Sequence, residues 1–439
     1  VTNAAGKYVD KDGNISDTKV TIAVPANGDV TINDIPVGTY TVSEDKTGAA
    51  VTNYGLVVSG EGDVAVTKDT TATATITNDY TQDKGSLTIS KKVEGYTFTS
   101  GKTFDVTVTN AAGKYVSADG AFSDTEVTIA VPANGNVTIK DIPVGTYTIS
   151  EDKAGAAVTN YGLVVSGEGD VAVTKDTTAT AAITNAYTQD KGSLTISKKV
   201  EGYTFTSGKT FDVTVTNAAG KYVSADGTFS DTKVTIAVPA NGNVTIKDIP
   251  VGTYTVSEDQ AGAAVTNYGL VVSGEGDVTV TKDATATATI TNEYTQDKGS
   301  LTISKKVEGY TFDANKTFNV TVTNEAGKYV SENGAFSDTE VSISVPANGS
   351  VTIKDIPVGT YTVSEEKTGA AVTNYGLVVS GEGDVAVAKD ATATATITNT
   401  YTQDKGSLTI SKTVTGYTFA AGKTFDVTVT NAAGKYVSA

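Results

Sequence analysis

Residues 86–93 read SLTISKKV, and the stretch returns at 193–200, at 300–307 and, as SLTISKTV, at 407–414. Side chains of an extended strand point alternately to its two faces. Leu87, Ile89 and Val93 therefore share one face, and Lys91 lies on that face with them. Alternation of this kind predicts a half-buried β-strand. A charged group turned toward the apolar side is costly unless it is paired, neutralised or consumed.

The recurrence sets the organisation. Lys91, Lys198, Lys305 and Lys412 fall 107 residues apart, as do Asn78, Asn185, Asn292 and Asn399. A near-identical period of that length is a whole domain rather than a solenoid turn. Complete domains are expected at 85–187, 192–294 and 299–401, separated at the recurring YTQDKGS. Residues 1–80 read as a domain lacking its first strands, and 406–439 as the opening strands of another. Val1 matches Val108 in mid-strand and the chain has no Met, so a segment of a longer protein is expected. A signal peptide, wall anchor or binding head would then lie outside it. The short linkers predict a rod with limited bending.

Within one period the alternation continues. TFDVTVT (103–109) aligns Phe104, Val106 and Val108, and EVTIAV (126–131) aligns Val127, Ile129 and Val131. PANG (132–135) carries an Asn-Gly hairpin signal. NVTIKDI, TYTISE, AVTNYGLVV, DVAV and TATAAITNAY complete seven or eight short strands. No segment has a helical period of useful length. The fold class expected is all-β: a tandem array of immunoglobulin-like β-sandwich domains.

Composition narrows the chemistry. The 439 residues include 44 Gly and 21 Tyr but no Cys, His or Trp. Without His and Cys, the usual zinc sites and Ser-His or Cys-His nucleophiles are excluded. No disulfide can staple the domains. A formal charge of −17, with every basic residue a lysine, argues against nucleic acid as a partner. No apolar run is long enough for a membrane span. No cofactor and no metal is implied.

Lys91 has two polar companions. Tyr147, Ile149 and Glu151 share a face, as do Ala181, Ile183, Asn185 and Tyr187. In a sandwich the first and last strands can lie side by side. A lysine amine in a low-dielectric site loses its proton readily and is then a nucleophile. An asparagine amide is an electrophile, a poor one without proton transfer, and a buried Glu can carry that proton. The product would be a Lys–Asn isopeptide bond with ammonia released. The same alternation also fits lysine stems lying over apolar surface with the amine in water. At 412–413 the pair is Lys-Thr, so the second lysine is replaceable and the first is the better candidate.

SLTISKKVEG, KTFDVTVTN, IKDIPVGTYTISE and TATAAITNAY together resemble the isopeptide-forming repeat domains of Gram-positive pilins and adhesins. These include the streptococcal pilin linkage domain and collagen-adhesin B-type repeats. The resemblance covers each unit throughout. It implies that the first-strand Lys bonds to the last-strand Asn with the Glu as catalyst. The triads it implies are Lys91–Glu151–Asn185, Lys198–Glu258–Asn292 and Lys305–Glu365–Asn399. Glu44 and Asn78 lack a lysine in this segment, and Lys412 lacks both partners.

The expected function is the structural stalk of a bacterial cell-surface adhesin or fibre, attached to the wall, with a single-turnover self-modification rather than an enzyme activity. Its partners would be neighbouring repeats, other copies in a fibre, and a host or surface ligand reached through an unseen tip. The alternatives are the shaft of a polymerised pilus, in which 406–439 complements 1–80, and a repeated ligand-binding module. DKDGN (10–14) and the GEGD segments (60–63, 167–170) read as turns. Lys84, Lys191, Lys298 and Lys405 are weaker candidates, as acceptors for covalent polymerisation.

Overall fold

The computed structural model describes residues 1–438. Its contacts divide the chain into two compact units. One comprises Val1–Ser197, Asp212–Glu258 and Gly274–Thr289. The other comprises Lys198–Phe211, Asp259–Ser273 and the chain from Ile290 onward.

In the first unit, the 85–187 repeat forms ten strands and one helical turn. They are β1 (Lys84–Glu94), β2 (Thr103–Asn110), β3 (Tyr115–Val116), β4 (Phe122–Ser123) and β5 (Ile129–Pro132). Then follow β6 (Asn136–Pro143), β7 (Gly145–Glu151), α1 (Lys153–Ala156), β8 (Tyr161–Ser166), β9 (Gly169–Val173) and β10 (Thr178–Gln189). One sheet has the order β6-β1-β10-β8. The other runs β4-β3-β2-β7-β9, with β5 also on β2. First and last strands pair in parallel, Lys91 opposite Ile183 and Asn185 opposite Val93. The remaining pairs are antiparallel.

The alternating apolar residues of both sheets meet in one core. Leu87, Ile89, Ile139 and Ile183 of the first pack on Val106, Val108, Tyr147 and Ile149 of the second. The register of β6 against β1 shifts between Ile139 and Ile142. Asp141 there adopts a left-handed backbone, φ 55°. A bulge of this kind re-aims the side chains that follow it. Both isoleucines are thereby buried, although simple alternation would have turned Ile142 outward. The Tyr147 hydroxyl donates to Pro143 O at 2.8 Å, fastening the turn between β6 and β7.

In the second unit, the 299–401 repeat has the same two sheets, again with its first strand (Lys298–Glu308) parallel to its last (Thr392–Gln403). In the 192–294 repeat the first and last strands are Lys191–Glu201 and Thr285–Gln296. The immunoglobulin-like sandwich expected from alternation is thus the observed fold, repeated in tandem. The additional strands are two-residue pieces too short to carry a period.

The ends differ. In 1–80, Val9 and Tyr40 are the buried hydrophobic residues, and residues 19–33 form no strand. Residues 406–438 hold an isolated bridge, Thr430–Tyr436, with Leu408 72% exposed. The matching segment of 85–187 is β1, which pairs with β6 and β10, whereas residues 406–416 form no strand among the described residues.

Candidate cross-linking site

Three elements of the 85–187 repeat converge on one buried point. β1 brings Lys91 inward after Leu87 and Ile89, and β10 brings Asn185 inward after Ile183. β7, in the facing sheet, ends with Glu151 after Tyr147 and Ile149. Lys91, Glu151 and Asn185 are 2%, 5% and 0% exposed. Lys91 Nζ donates to Glu151 Oε2 and to Asn185 Oδ1, and Asn185 Nδ2 donates to Glu151 Oε1. One carboxylate therefore touches both the amine and the amide nitrogen. Burial lowers the Lys91 pKa, against the opposing pull of Glu151. The Phe104 ring lies beneath Nζ, 4.6 Å from its centroid.

The 299–401 repeat assembles the same groups. Lys305 Nζ forms an ion pair with Glu365 Oε2 at 2.9 Å. Asn399 Nδ2 donates to Glu365 Oε1 at 2.6 Å. Asn399 Oδ1 is buried without a hydrogen-bond partner. Burial lowers the Lys305 pKa as well. Lys198, Glu258 and Asn292 are 2%, 6% and 0% exposed.

Residues 1–80 and 406–438 hold parts of the site. Asn78 Nδ2 donates to Glu44 Oε1 at 2.7 Å, and Asn78 Oδ1 is buried without a partner. Lys412 is exposed, with Nζ 5.1 Å from the Phe425 ring centroid.

Two contributors were not legible as such. Glu168, in the segment read as a solvated GEGD turn, accepts from the Glu151 backbone N–H at 2.8 Å and pairs with Lys153 at 2.8 Å. Its counterpart Glu382 accepts from Glu365 N–H, and that bond holds its carboxyl below the usual range. Tyr187 was seen only as an inward residue. Its hydroxyl donates to Ala156 O at 2.6 Å, and Asn185 Nδ2 lies 3.5 Å from the same oxygen. Tyr96, Phe98 and Phe104 wall the site around the Tyr187 ring, with centroid separations of 4.7–5.8 Å.

DKDGN is a turn in which Asp10 Oδ1 accepts from the N–H groups of Asp12 and Asn14. Among the described residues no acidic cluster is placed to hold a metal ion. Nor is any helix there long and apolar enough to cross a membrane.

Several solved structures are similar to this chain. The Bacillus anthracis TIE protein is 18% identical, with 79% of this chain and 58% of that chain covered and a TM-score of 0.38. Two B repeat units of the Staphylococcus aureus collagen-binding protein are 18% identical, over 80% and 81%, TM-score 0.24. The major pilin subunit BcpA of Bacillus cereus is 16% identical, over 72% and 99%, TM-score 0.22. The chain thus spans less than two thirds of the first of these. No curated protein sequence matches. A family model described as "Domain of unknown function (DUF5979)" matches residues 7–81, 87–188, 194–295 and 301–402. These matches cover well over half of the sequence, and the chain belongs to the DUF5979 family.

Proposed function

We propose that the repeats 85–187, 192–294 and 299–401 each close a Lys–Asn isopeptide bond. On this reading the chain is a load-bearing shaft of a bacterial cell-surface adhesin or fibre. One observation carries the reading: a buried amine, amide and carboxylate lie in mutual contact within an apolar, aromatic-walled core.

Lys91 passes one proton to Glu151, and the neutral Nζ attacks Asn185 Cγ. Glu151 returns a proton through Oε1 to Nδ2 while Oε2 takes one from Nζ. The Nζ–Cγ bond forms, the Cγ–Nδ2 bond breaks, and ammonia leaves. Proton shuttling by one positioned carboxylate is general acid–base catalysis. Each site reacts once and is consumed, so the chain is a self-modifying structural protein.

The mechanical role follows from the topology. The bond would join β1 to the parallel β10, so tension entering at Lys84 would cross from residue 91 to residue 185 and leave at Gln189. The intervening sandwich would be bypassed. Closing a loop 94 residues apart contributes about 4–5 kcal/mol through unfolded-state entropy. A cysteine-free chain has no disulfide to do this. The motif resemblance supports the extracellular surface as the location.

Intact mass tests the chemistry. The purified chain should weigh less than its sequence by one ammonia per complete repeat. Lys91→Ala or Glu151→Ala should restore one ammonia. A wild-type mass equal to the sequence mass overturns the proposal.

A further inference from the structure

We propose that Tyr187, with Tyr294 and Tyr401 in the other complete repeats, is a positioning residue that fixes which end of the reacting asparagine amide faces the lysine. This rests on the isopeptide reading and adds a residue to it.

A phenol oxygen has one proton to give and lone pairs to accept with. Tyr187 spends its proton on Ala156 O at 2.6 Å, Tyr294 on Ala263 O at 2.7 Å, and Tyr401 on Ala370 O at 2.6 Å. Toward the asparagine, each hydroxyl can therefore only accept. The atom it faces is the amide nitrogen in all three cases: Asn185 Nδ2 at 3.5 Å, Asn292 Nδ2 at 3.4 Å and Asn399 Nδ2 at 3.4 Å. Turning the amide over would set its oxygen against the tyrosine oxygen, two acceptors face to face. It would also point the NH2 at the lysine amine.

Glu151 alone does not supply this selection. As a carboxylate it only accepts, and takes Nδ2. Once it carries the lysine proton it has one donor and one acceptor oxygen, so it can donate to the amide oxygen or accept from the NH2 and no longer selects one end. That protonated form is the one present when the lysine is nucleophilic. Tyr187 stays an acceptor toward the amide throughout, since burial raises its pKa and keeps the hydroxyl protonated. It is 5% exposed, so water does not substitute for it.

The carbonyl that orients the hydroxyl is built by the turn after the Glu strand. Asp152 caps α1 by accepting from the N–H groups of Ala154 and Gly155, and α1 ends at Ala156, whose carbonyl accepts from the hydroxyl. In 299–401 the turn is instead the 3-10 helix Thr368–Ala370, without a side-chain cap. The tyrosine–carbonyl bond and the contact to Nδ2 persist there. The arrangement is therefore kept where the local element changes.

Tyr187→Phe in the full chain is the test, because the repeats 192–294 and 299–401 serve as internal controls. Residues 186, 293 and 400 are Ala, Glu and Thr, so the last-strand peptides are distinguishable by mass. Chains made by cell-free translation are quenched at successive times, digested, and scored for each Lys–Asn cross-linked peptide. Loss of one hydrogen bond predicts that the 85–187 bond forms roughly three- to tenfold more slowly than the two controls. Asn185→Asp is the second arm. A carboxyl has two like ends, so there the Tyr187→Phe penalty should vanish, with water released in place of ammonia. Equal rates in the three repeats overturn the inference, and so does the same slowing in the Asp background, which would mark a merely structural role. If no repeat of the wild-type chain cross-links, it is the isopeptide reading that fails.

Discussion

At the scale of the residue, Lys91 is held between two opposing influences. Burial disfavours its ammonium form, Glu151 favours it, and the balance lowers the pKa. In an Asn185→Ala chain the amine has no electrophile and must persist. Its folded-state pKa then lies below the unfolded value of about 10.4. Between those two values the unfolded chain binds more protons, so stability rises with pH through that window. Below the folded pKa both states are protonated, and the dependence on this group disappears. Urea midpoints measured against pH should show the rise for Asn185→Ala and a flatter profile for Asn185→Ala/Lys91→Met. Matching profiles would mean that Lys91 titrates as an ordinary surface lysine. Strand alternation turned Lys91, Glu151 and Asn185 inward, where they are buried, because each sits in register with apolar neighbours; grouping them as one triad came from the motif resemblance. Glu168 was hidden for the opposite reason. Its glycine-flanked acidic segment looks solvated, and its bond to Glu151 N–H exists only because β9 pairs with β7, a contact that local pattern does not carry. Glu168→Ala should leave that N–H unsatisfied at about 1–3 kcal/mol. Denaturant unfolding of the Lys91→Ala and Lys91→Ala/Glu168→Ala chains measures this without the cross-link.

At the scale of the element, the parallel β1–β10 pair depends on how β1 is allowed to leave the sheet. Gly95 follows β1 with φ +75°, and a Cβ there would lie 1.9 Å from Tyr187 O. Gly101 also has positive φ, +91°, but its Cβ would meet nothing within 4 Å. The two glycines separate backbone strain from packing. Gly101→Ala should cost about 1–2 kcal/mol, the left-handed penalty alone. Gly95→Ala should cost about 2–5 kcal/mol, since the clash with the Tyr187 carbonyl adds overpacking to that penalty. Equal losses in chemical denaturation would show that β1 and β10 can separate there without harm. The eight longer strands were legible because each carries its own period-two pattern. The β6 bulge was not, since it depends on Asp141 entering the left-handed region. The four-residue α1 was too short to show a helical period. Nor did the opening segment after residue 405 become a sheet. Its alternation matches β1, but a strand is defined by its partners.

At the scale of the whole molecule, the joints between repeats are more built than their polar sequence suggests. YTQDKGS reads as a linker, yet β10 runs to Gln189 and the next strand starts at Lys191, leaving Asp190 alone between them. Asp190 N–H donates to Asn160 O of the preceding repeat at 2.9 Å, and Asp190 O accepts from Val251 N–H of the following repeat at 3.0 Å. Its carboxylate pairs with Lys282 at 2.6 Å. Asp83 with Lys175 and Asp297 with Lys389 repeat the pattern at 2.7 Å each. The two backbone bonds tie the joint to both neighbours, while the ion pair draws the following repeat onto the same residue. Lys282 is 56% exposed, so this pair should be screened by salt, whose Debye length falls to about 3 Å at 1 M. Because the chain has no cysteine, spin labels can be placed at Glu126→Cys and Lys233→Cys without competing thiols. The distance distribution between them should broaden on Asp190→Ala. It should broaden less on Lys282→Ala, where the aspartate remains. Wild type in 1 M salt should move toward Lys282→Ala and stop there, because the backbone bonds are not screened. A distribution indifferent to all three changes would assign the joint's order to the two backbone bonds alone and leave the Asp–Lys pair without a mechanical part.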